Sequence, residues 1–279
     1  VKLDRRKFIK LSAASVATIG LGGIGYSFAA RQKVEVSRVE VRLARLPVEF
    51  DGLTIAQMSD IHHGPFTSTD YLGRCVEIVN HLRPDLIALT GDFVFGSSRY
   101  VEPCAEALRP LRARIGVYAV LGNHDYYHSA GHIARALRRA GINLLVDGRE
   151  RLEQRGAKLW LMGMDDLWYG QPDLDRVMRD LPESEAKITL AHNPDFIEVF
   201  AARGKQVDFI LSGHTHGGQV RLPLLGAPYL PSKYGQRYAM GLNHKGPTQI
   251  YTTRGIGTVG PPVRFACPPE IVHYTLRRA

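Results

Sequence analysis

Short apolar runs in this chain end repeatedly on a small residue followed by Asp, Asn or His. Residues 53–59 lead to Asp60 and His62, and residues 86–90 to Gly91-Asp92. Residues 117–121 lead to Gly122-Asn123-His124-Asp125, and residues 188–191 to His192. Residues 209–212 lead to Gly213-His214-Thr215-His216. Short apolar runs of this kind are read as buried strands, and further ones fall at 159–162, 249–252 and 271–276. Apolar residues at helical spacing occupy 71–82, 101–111, 132–140, 174–180 and 196–203. Strands alternating with helices predict a layered α/β architecture. Residues 34–43 alternate apolar with charged but slip by one near Ser37, which predicts a strand pair or a bulged strand.

In open α/β sheets, ligands bind beyond the carboxyl ends of the strands. Side chains spread from Asp60 to His216 are therefore predicted to converge on one site. An Asp-x-His pair leaving a strand turns both side chains the same way, because alternate residues share a face. His214 and His216 are expected to do likewise. One Asp can bridge two ions through its two oxygens. The donors are oxygen and nitrogen with no thiolate, which suits Mn, Fe or Zn better than Ca or Mg. Two such ions would clamp a phosphoryl oxygen and supply an activated hydroxide for in-line attack. Any one of these motifs alone is ordinary turn chemistry; the ordered set of five is what points to a metal site.

That set, Asp60-x-His62, Gly91-Asp92, Gly122-Asn123-His124-Asp125, His192 and Gly213-His214-x-His216, resembles the calcineurin-like metallophosphoesterase superfamily. The resemblance covers roughly 53–276. It implies a four-layer α/β/β/α sandwich with a dimetal centre. It also implies Asp60, His62 and His216 on one divalent ion, Asn123, His192 and His214 on a second, and Asp92 bridging both. His124 would contact the phosphate and assist the leaving group, with Asp125 orienting its imidazole. Residues 217–223, 229–234 and 253–257 look like the exported, membrane-associated YkuE/YaeI-type phosphodiesterases. Arg254, in a glycine-rich loop, is expected to touch the substrate phosphate, with a plain surface arginine as the alternative; His63, adjoining the Asp60-x-His62 motif, either lines the pocket or serves the loop.

Residues 4–10 read Asp-Arg-Arg-Lys-Phe-Ile-Lys and precede an uncharged stretch from 11 to 30. A basic start before an apolar run is an export signal, and the arginine pair with Phe8 resembles the twin-arginine type. Residues 1–30 are thus expected to be a signal peptide read by the twin-arginine translocation machinery, or a retained membrane anchor, and 31–279 a single metallophosphoesterase domain. The domain would work in the periplasm or at the outer face of the cytoplasmic membrane, beside a membrane surface. Net charge is +9, of which +4 lies in residues 1–29. The remaining +5 suits anionic substrates without being the strong basic signature of a nucleic-acid binder. Three cysteines without CxxC spacing give neither a disulfide framework nor a thiolate metal site.

The expected activity is metal-dependent hydrolysis of a phosphoester, in a lipid or lipid precursor of the envelope. An exported nucleotide or nucleic-acid phosphoesterase and a non-catalytic metal-dependent scaffold stand as alternatives. Residues 220–242, rich in Leu, Pro and Tyr, would be either an apolar lip beside the metals or a loop packed on the body.

Overall fold

The computed structural model describes residues 31–279. Residues 1–30, the expected signal peptide or anchor, lie outside the described residues. The strands are β1 (Glu35–Leu43), β2 (Thr54–Met58), β3 (Leu86–Thr90), β4 (Gly116–Val120), β5 (Asn143–Leu144), β6 (Gly148–Gln154), β7 (Ala157–Gly163), β8 (Ala186–Leu190), β9 (Phe209–Ser212), β10 (Gly241–Lys245), β11 (Thr248–Thr252) and β12 (Glu270–Arg278). The helices are α1 (Thr69–Leu82), α2 (Val101–Leu108), α3 (Asn123–Tyr127), α4 (Ala130–Arg139), α5 (Leu174–Met178) and α6 (Phe196–Ala202).

Two six-stranded sheets form, in the orders β1-β12-β2-β3-β4-β5 and β10-β11-β9-β8-β7-β6. The strands that carry the motifs pair in parallel: β2 with β3, β3 with β4, and β8 with β9. They are buried on both faces, which is why they read as continuous apolar runs. Three apolar layers follow from the pleat. Ile55, Leu86, Ala88 and Val120 meet Leu161, Ile188 and Phe209 between the sheets. Met58, Ile87 and Leu89 face α1, α2 and α4. Met162, Ile210 and Ile250 face α5 and α6. The order is helix, sheet, sheet, helix, as the resemblance implied.

β1 corrects one expectation. It is a single strand in unbroken parallel register with β12, from Glu35 opposite Glu270 to Leu43 opposite Arg278. The slip in the pattern is Ser37, which takes an inward place and donates its hydroxyl to Glu270. A hydrogen bond there replaces apolar burial, so neither a bulge nor a second strand is needed.

Candidate metal centre

All seven candidate ligands leave the carboxyl ends of strands: Asp60 and His62 from β2, Asp92 from β3, Asn123 from β4, His192 from β8, and His214 and His216 from β9. The two sheets are tied together just behind them. Gln57 donates to Thr90 Oγ1 at 2.8 Å and to the Ser212 carbonyl at 3.0 Å. His192 Nδ1–H donates across the sheets to the Thr90 carbonyl at 2.7 Å. A carbonyl only accepts, so this bond fixes the ring and turns Nε2 into the site.

The pleat does not aim these ligands, contrary to the sequence-based expectation. Asp60, His62, Asp92, His214 and His216 lie past their strands with φ of 51°, 46°, 57°, 72° and 52°. Left-handed backbone costs a non-glycine residue about 1–3 kcal/mol and gathers at functional sites. Its consequence is that His214 and His216 do not act as a pair; they join different groups. Gly213 shows how tight the turn is, since a Cβ there would fall on the Ser59 hydroxyl and the Asp60 carboxylate.

Two donor groups result. In one, His216 Nε2 lies 3.0 Å from His62 Nε2 and 3.4 Å from Asp60 Oδ1. In the other, Asn123 Oδ1 lies 3.1 Å from His192 Nε2 and 2.9 Å from His214 Nδ1. Asp92 Oδ2 belongs to both, at 3.4 Å from His62 Nε2 and 3.2 Å from His192 Nε2. Bonds of about 2.0–2.2 Å to a first-row divalent ion place neighbouring ligands roughly 3.0–3.4 Å apart. The donor spacing fits such an ion in each group.

Electrostatics fit as well. Burial pushes His62 and His214 down to about 3, and His216 well below its usual value, so these rings are neutral with lone pairs to give. Burial also disfavours a charged His192, but the Asp92 charge and hydrogen bond outweigh it and push that ring up to about 10. Asp92 is held well below the carboxylate range, because His192, reinforced by His62, overcomes its burial. Burial raises Asp60 to about 6, with His192 opposing and Asp92 adding to the rise. A site this crowded with buried anionic and imidazole groups is compensated by cations.

His124 stands at the edge of this centre. Its backbone N–H donates to Asp92 Oδ1 at 2.8 Å, and its ring meets His62 edge-on at 4.8 Å. The expected pairing of Asp125 with the His124 ring is not formed. Asp125 is the third residue of α3, and its buried carboxylate reaches back instead. Oδ2 accepts the N–H groups of Asp92 and Gly122, both at 2.9 Å, and Oδ1 accepts that of Phe93 at 2.8 Å. Burial and the neighbouring Asp92 charge push it up to about 7, against the N–H groups of Gly122 and Phe93. Asp125 therefore holds the backbone that carries Asp92.

Asp92, Asn123, His124, His214 and His216 floor a cleft of about 630 Å³. Phe95, Tyr127, Trp168, Val220, Pro228 and Tyr229 line its sides. Trp168 packs edge-on against His214 at 4.3 Å. The two expected substrate contacts are placed otherwise. His63 is buried, with Nδ1–H donating to the Tyr100 carbonyl and Nε2 accepting from Thr69. Arg254 is held by Glu270 and Glu35, each at 3.2 Å. Neither lines the cleft.

The arginine that serves this loop is Arg264, which sequence reasoning missed. It is fully buried and donates to the carbonyls of Arg254, Gly255, Gly257 and Cys267 at 2.6–3.1 Å. The loop it gathers packs behind Asp60, with Gly257 N–H on the Asp60 carbonyl at 2.8 Å. Its signal in the sequence was weak: one charge among Pro261, Pro262, Val263 and Phe265. Cys75, Cys104 and Cys267 are all free and buried.

Residues 53–218 match the calcineurin-like phosphoesterase family model. The chain is 33% identical to the uncharacterized metallophosphoesterase YkuE of Bacillus subtilis, covering 99% of this chain and 98% of that protein. It is 34% identical to the phosphodiesterase YaeI of Escherichia coli, covering 96% and 97%. A solved structure, TT1561 of Thermus thermophilus, aligns with a TM-score of 0.47 and 12% identity over 74% of this chain and 90% of its own. With its two abutting donor groups and its near-complete coverage of such relatives, the chain belongs to the calcineurin-like phosphoesterase family of metal-dependent phosphoester hydrolases.

Proposed function

We propose that this protein is an exported two-metal phosphodiesterase that cleaves a phosphoester of a cell-envelope lipid or lipid precursor. The observation that carries the metal chemistry is Asp92 Oδ2, shared between two donor groups at the floor of the cleft. Asp60, His62 and His216 would hold one ion and Asn123, His192 and His214 the other, with Asp92 available to both; Mn, Fe or Zn would suit this set. When bound, two divalent ions neutralise charge on the phosphoryl group and make water nucleophilic near neutral pH. The remaining work falls to the chain's own residues. His124, at the cleft edge beside Asp92, contacts the phosphate and hands a proton to the departing oxygen. Asp125 holds the backbone that carries Asp92, and Arg264 gathers the loop that packs behind Asp60.

The lipid reading is supported by the cleft walls, where Phe95, Tyr127, Trp168, Val220, Pro228 and Tyr229 offer apolar surface above a polar floor. A diester is supported by the similarity to a protein named phosphodiesterase. The test is a substrate panel with Mn, Zn, Fe and Mg compared. It takes a soluble aryl diester, an acylated phosphodiester in vesicles, nucleotides and a polynucleotide. Hydrolysis of the first two is expected. Activity confined to nucleotides or polynucleotide would overturn the lipid assignment in favour of an exported nucleotide or nucleic-acid phosphoesterase.

Export by the twin-arginine route is proposed on Arg5-Arg6 with Phe8. Changing Arg5→Lys together with Arg6→Lys is expected to leave the protein in the cytoplasm when cell fractions are blotted. Unaltered export of the double variant would remove this part of the reading.

A further inference from the structure

Residues 221–234 form one lip of the cleft, and the fold does not account for their composition. Leu222 and Gly226 exchange both backbone hydrogen bonds, at 2.8 and 3.0 Å, which closes a tight hairpin. At its tip Leu224 is 107% exposed and Leu225 76% exposed. Leu224 also has φ of 66°, a conformation that glycine enters freely and leucine does not. Neither packing nor turn geometry asks for leucine there.

The rest of the surface isolates this region further. Of the eleven large hydrophobic side chains exposed among the described residues, seven lie between positions 222 and 242. Tyr127 and Trp168 line the same cleft, Tyr169 packs on Tyr127, and Val48 alone lies elsewhere. Clustering of this kind marks an interaction surface. The hairpin's arms supply Val220, Pro228 and Tyr229 to the cleft wall, so the tip sits beside the cleft mouth.

Charge says what covers it. Positions 209–269 contain six Arg and Lys residues and no Asp or Glu. Arg221 and Lys233 flank the tip; the Arg221 guanidinium donates to the Gly217 carbonyl and the Lys233 backbone N–H to Asp195, and among the described residues neither side chain is in an ion pair. Exposed leucines at a tip, with exposed tyrosines and basic side chains free of ion pairs in the same segment, have the composition of an interfacial membrane contact. A second copy is disfavoured as occupant, because a self-complementary contact would set the two basic rims against each other.

We propose that this lip docks on an anionic bilayer, with Leu224 and Leu225 in the interface and Arg221 and Lys233 against lipid phosphates. The cleft then opens at the membrane surface. Its catalytic value rests on the reading above, since such docking speeds hydrolysis only of a substrate that is itself a lipid. Among the described residues, no helix is long and apolar enough to cross a membrane.

The test labels Leu224→Cys in the full chain with a polarity-sensitive dye; the native cysteines are buried, so the new thiol reacts selectively. With phosphatidylethanolamine–phosphatidylglycerol vesicles, the dye is expected to shift to the blue and be quenched by acyl-chain nitroxides. Both effects should weaken with salt. A water-like dye on vesicle-bound protein would overturn the proposal. So would a blue shift produced by raising protein concentration alone, which would identify a second copy as the occupant. In parallel, the full chain carrying Leu224→Asp and Leu225→Asp is expected to lose at least about tenfold in rate on the vesicle-embedded diester. Its rate on the soluble diester should not change. If the dye inserts but wild type leaves every vesicle lipid intact, the lipid-substrate reading fails and the docking stands. If the double variant cleaves vesicle lipid at the wild-type rate, the docking fails and the substrate reading stands.

Discussion

Asp92→Ala is expected to lower turnover of a soluble aryl phosphodiester at least about a thousandfold in saturating Mn. Its carboxylate does three things that nothing nearby can replace. Oδ2 lies between His62 and His192, so its loss removes a ligand from both donor groups at once. Its charge and hydrogen bond offset the cost of burying a charged His192. Oδ1 accepts the His124 backbone N–H, so the variant also frees the residue proposed to face the substrate. Metal content by elemental analysis should fall with the rate. His124→Ala separates these effects: its ring comes within 4.8 Å of His62 and Asp92 ligand atoms, yet it is proposed to face the substrate rather than to hold an ion. It is expected to keep its metal while losing about a hundredfold in rate, more for poor leaving groups. Near-native turnover by the Asp92 variant would sink the two-metal assignment, and metal loss by the His124 variant would move that residue into the ligand set.

How much of this was legible depends on how local each signal was. The central strands were readable because burial on both faces leaves no room for polar residues; Leu86–Thr90 is apolar but for its last member. β6, Gly-Arg-Glu-Arg-Leu-Glu-Gln, was not, because an edge strand held by its ladder to β7 buries only Leu152. β10 was missed for the same reason. The ligand types were legible as residues following strands. Their aim was not, since left-handed turns at Asp60, His62, Asp92, His214 and His216 replace the pleat. Long-range roles were the least legible. Arg254 looked functional because it sat in a glycine-rich loop, yet Glu35 and Glu270, on β1 and β12, hold it. Arg264 looked ordinary because its carbonyl partners are gathered only by the loop's return path. The apolar segment near 220–242 left a lip and a packed loop equally open in the sequence. Exposure of Leu224, Leu225 and Tyr229 favours the lip.

Asp125→Ala is expected to cost stability and metal affinity together, which an imidazole-orienting role would not. The carboxylate is fully buried and satisfies three backbone N–H groups, on Asp92, Phe93 and Gly122. Leaving a buried donor unpaired costs about 1–3 kcal/mol, so the native state should lose roughly 3–5 kcal/mol after partial relaxation. Two of those donors belong to Asp92 and to the residue before Asn123, which lie in the shared and second donor groups. Loosening them is expected to weaken Mn binding about 10- to 100-fold, the usual effect of removing a partner that holds a ligand in place. Asp125→Asn should fall between wild type and alanine. Its single oxygen can meet one side of the arrangement, and its NH2 must then confront a donor on the other. Urea unfolding in chelator gives the stability term, and Mn titration calorimetry gives the affinity. The alternative predicts another pattern: metal affinity and urea midpoint unchanged, with a rate loss that grows as the leaving group worsens, as for His124→Ala. Because the carboxylate bonds backbone on both β3 and β4 exits, the chelator-treated protein should already show the stability loss. That outcome would establish Asp125 as part of the frame that builds the metal centre before any metal arrives.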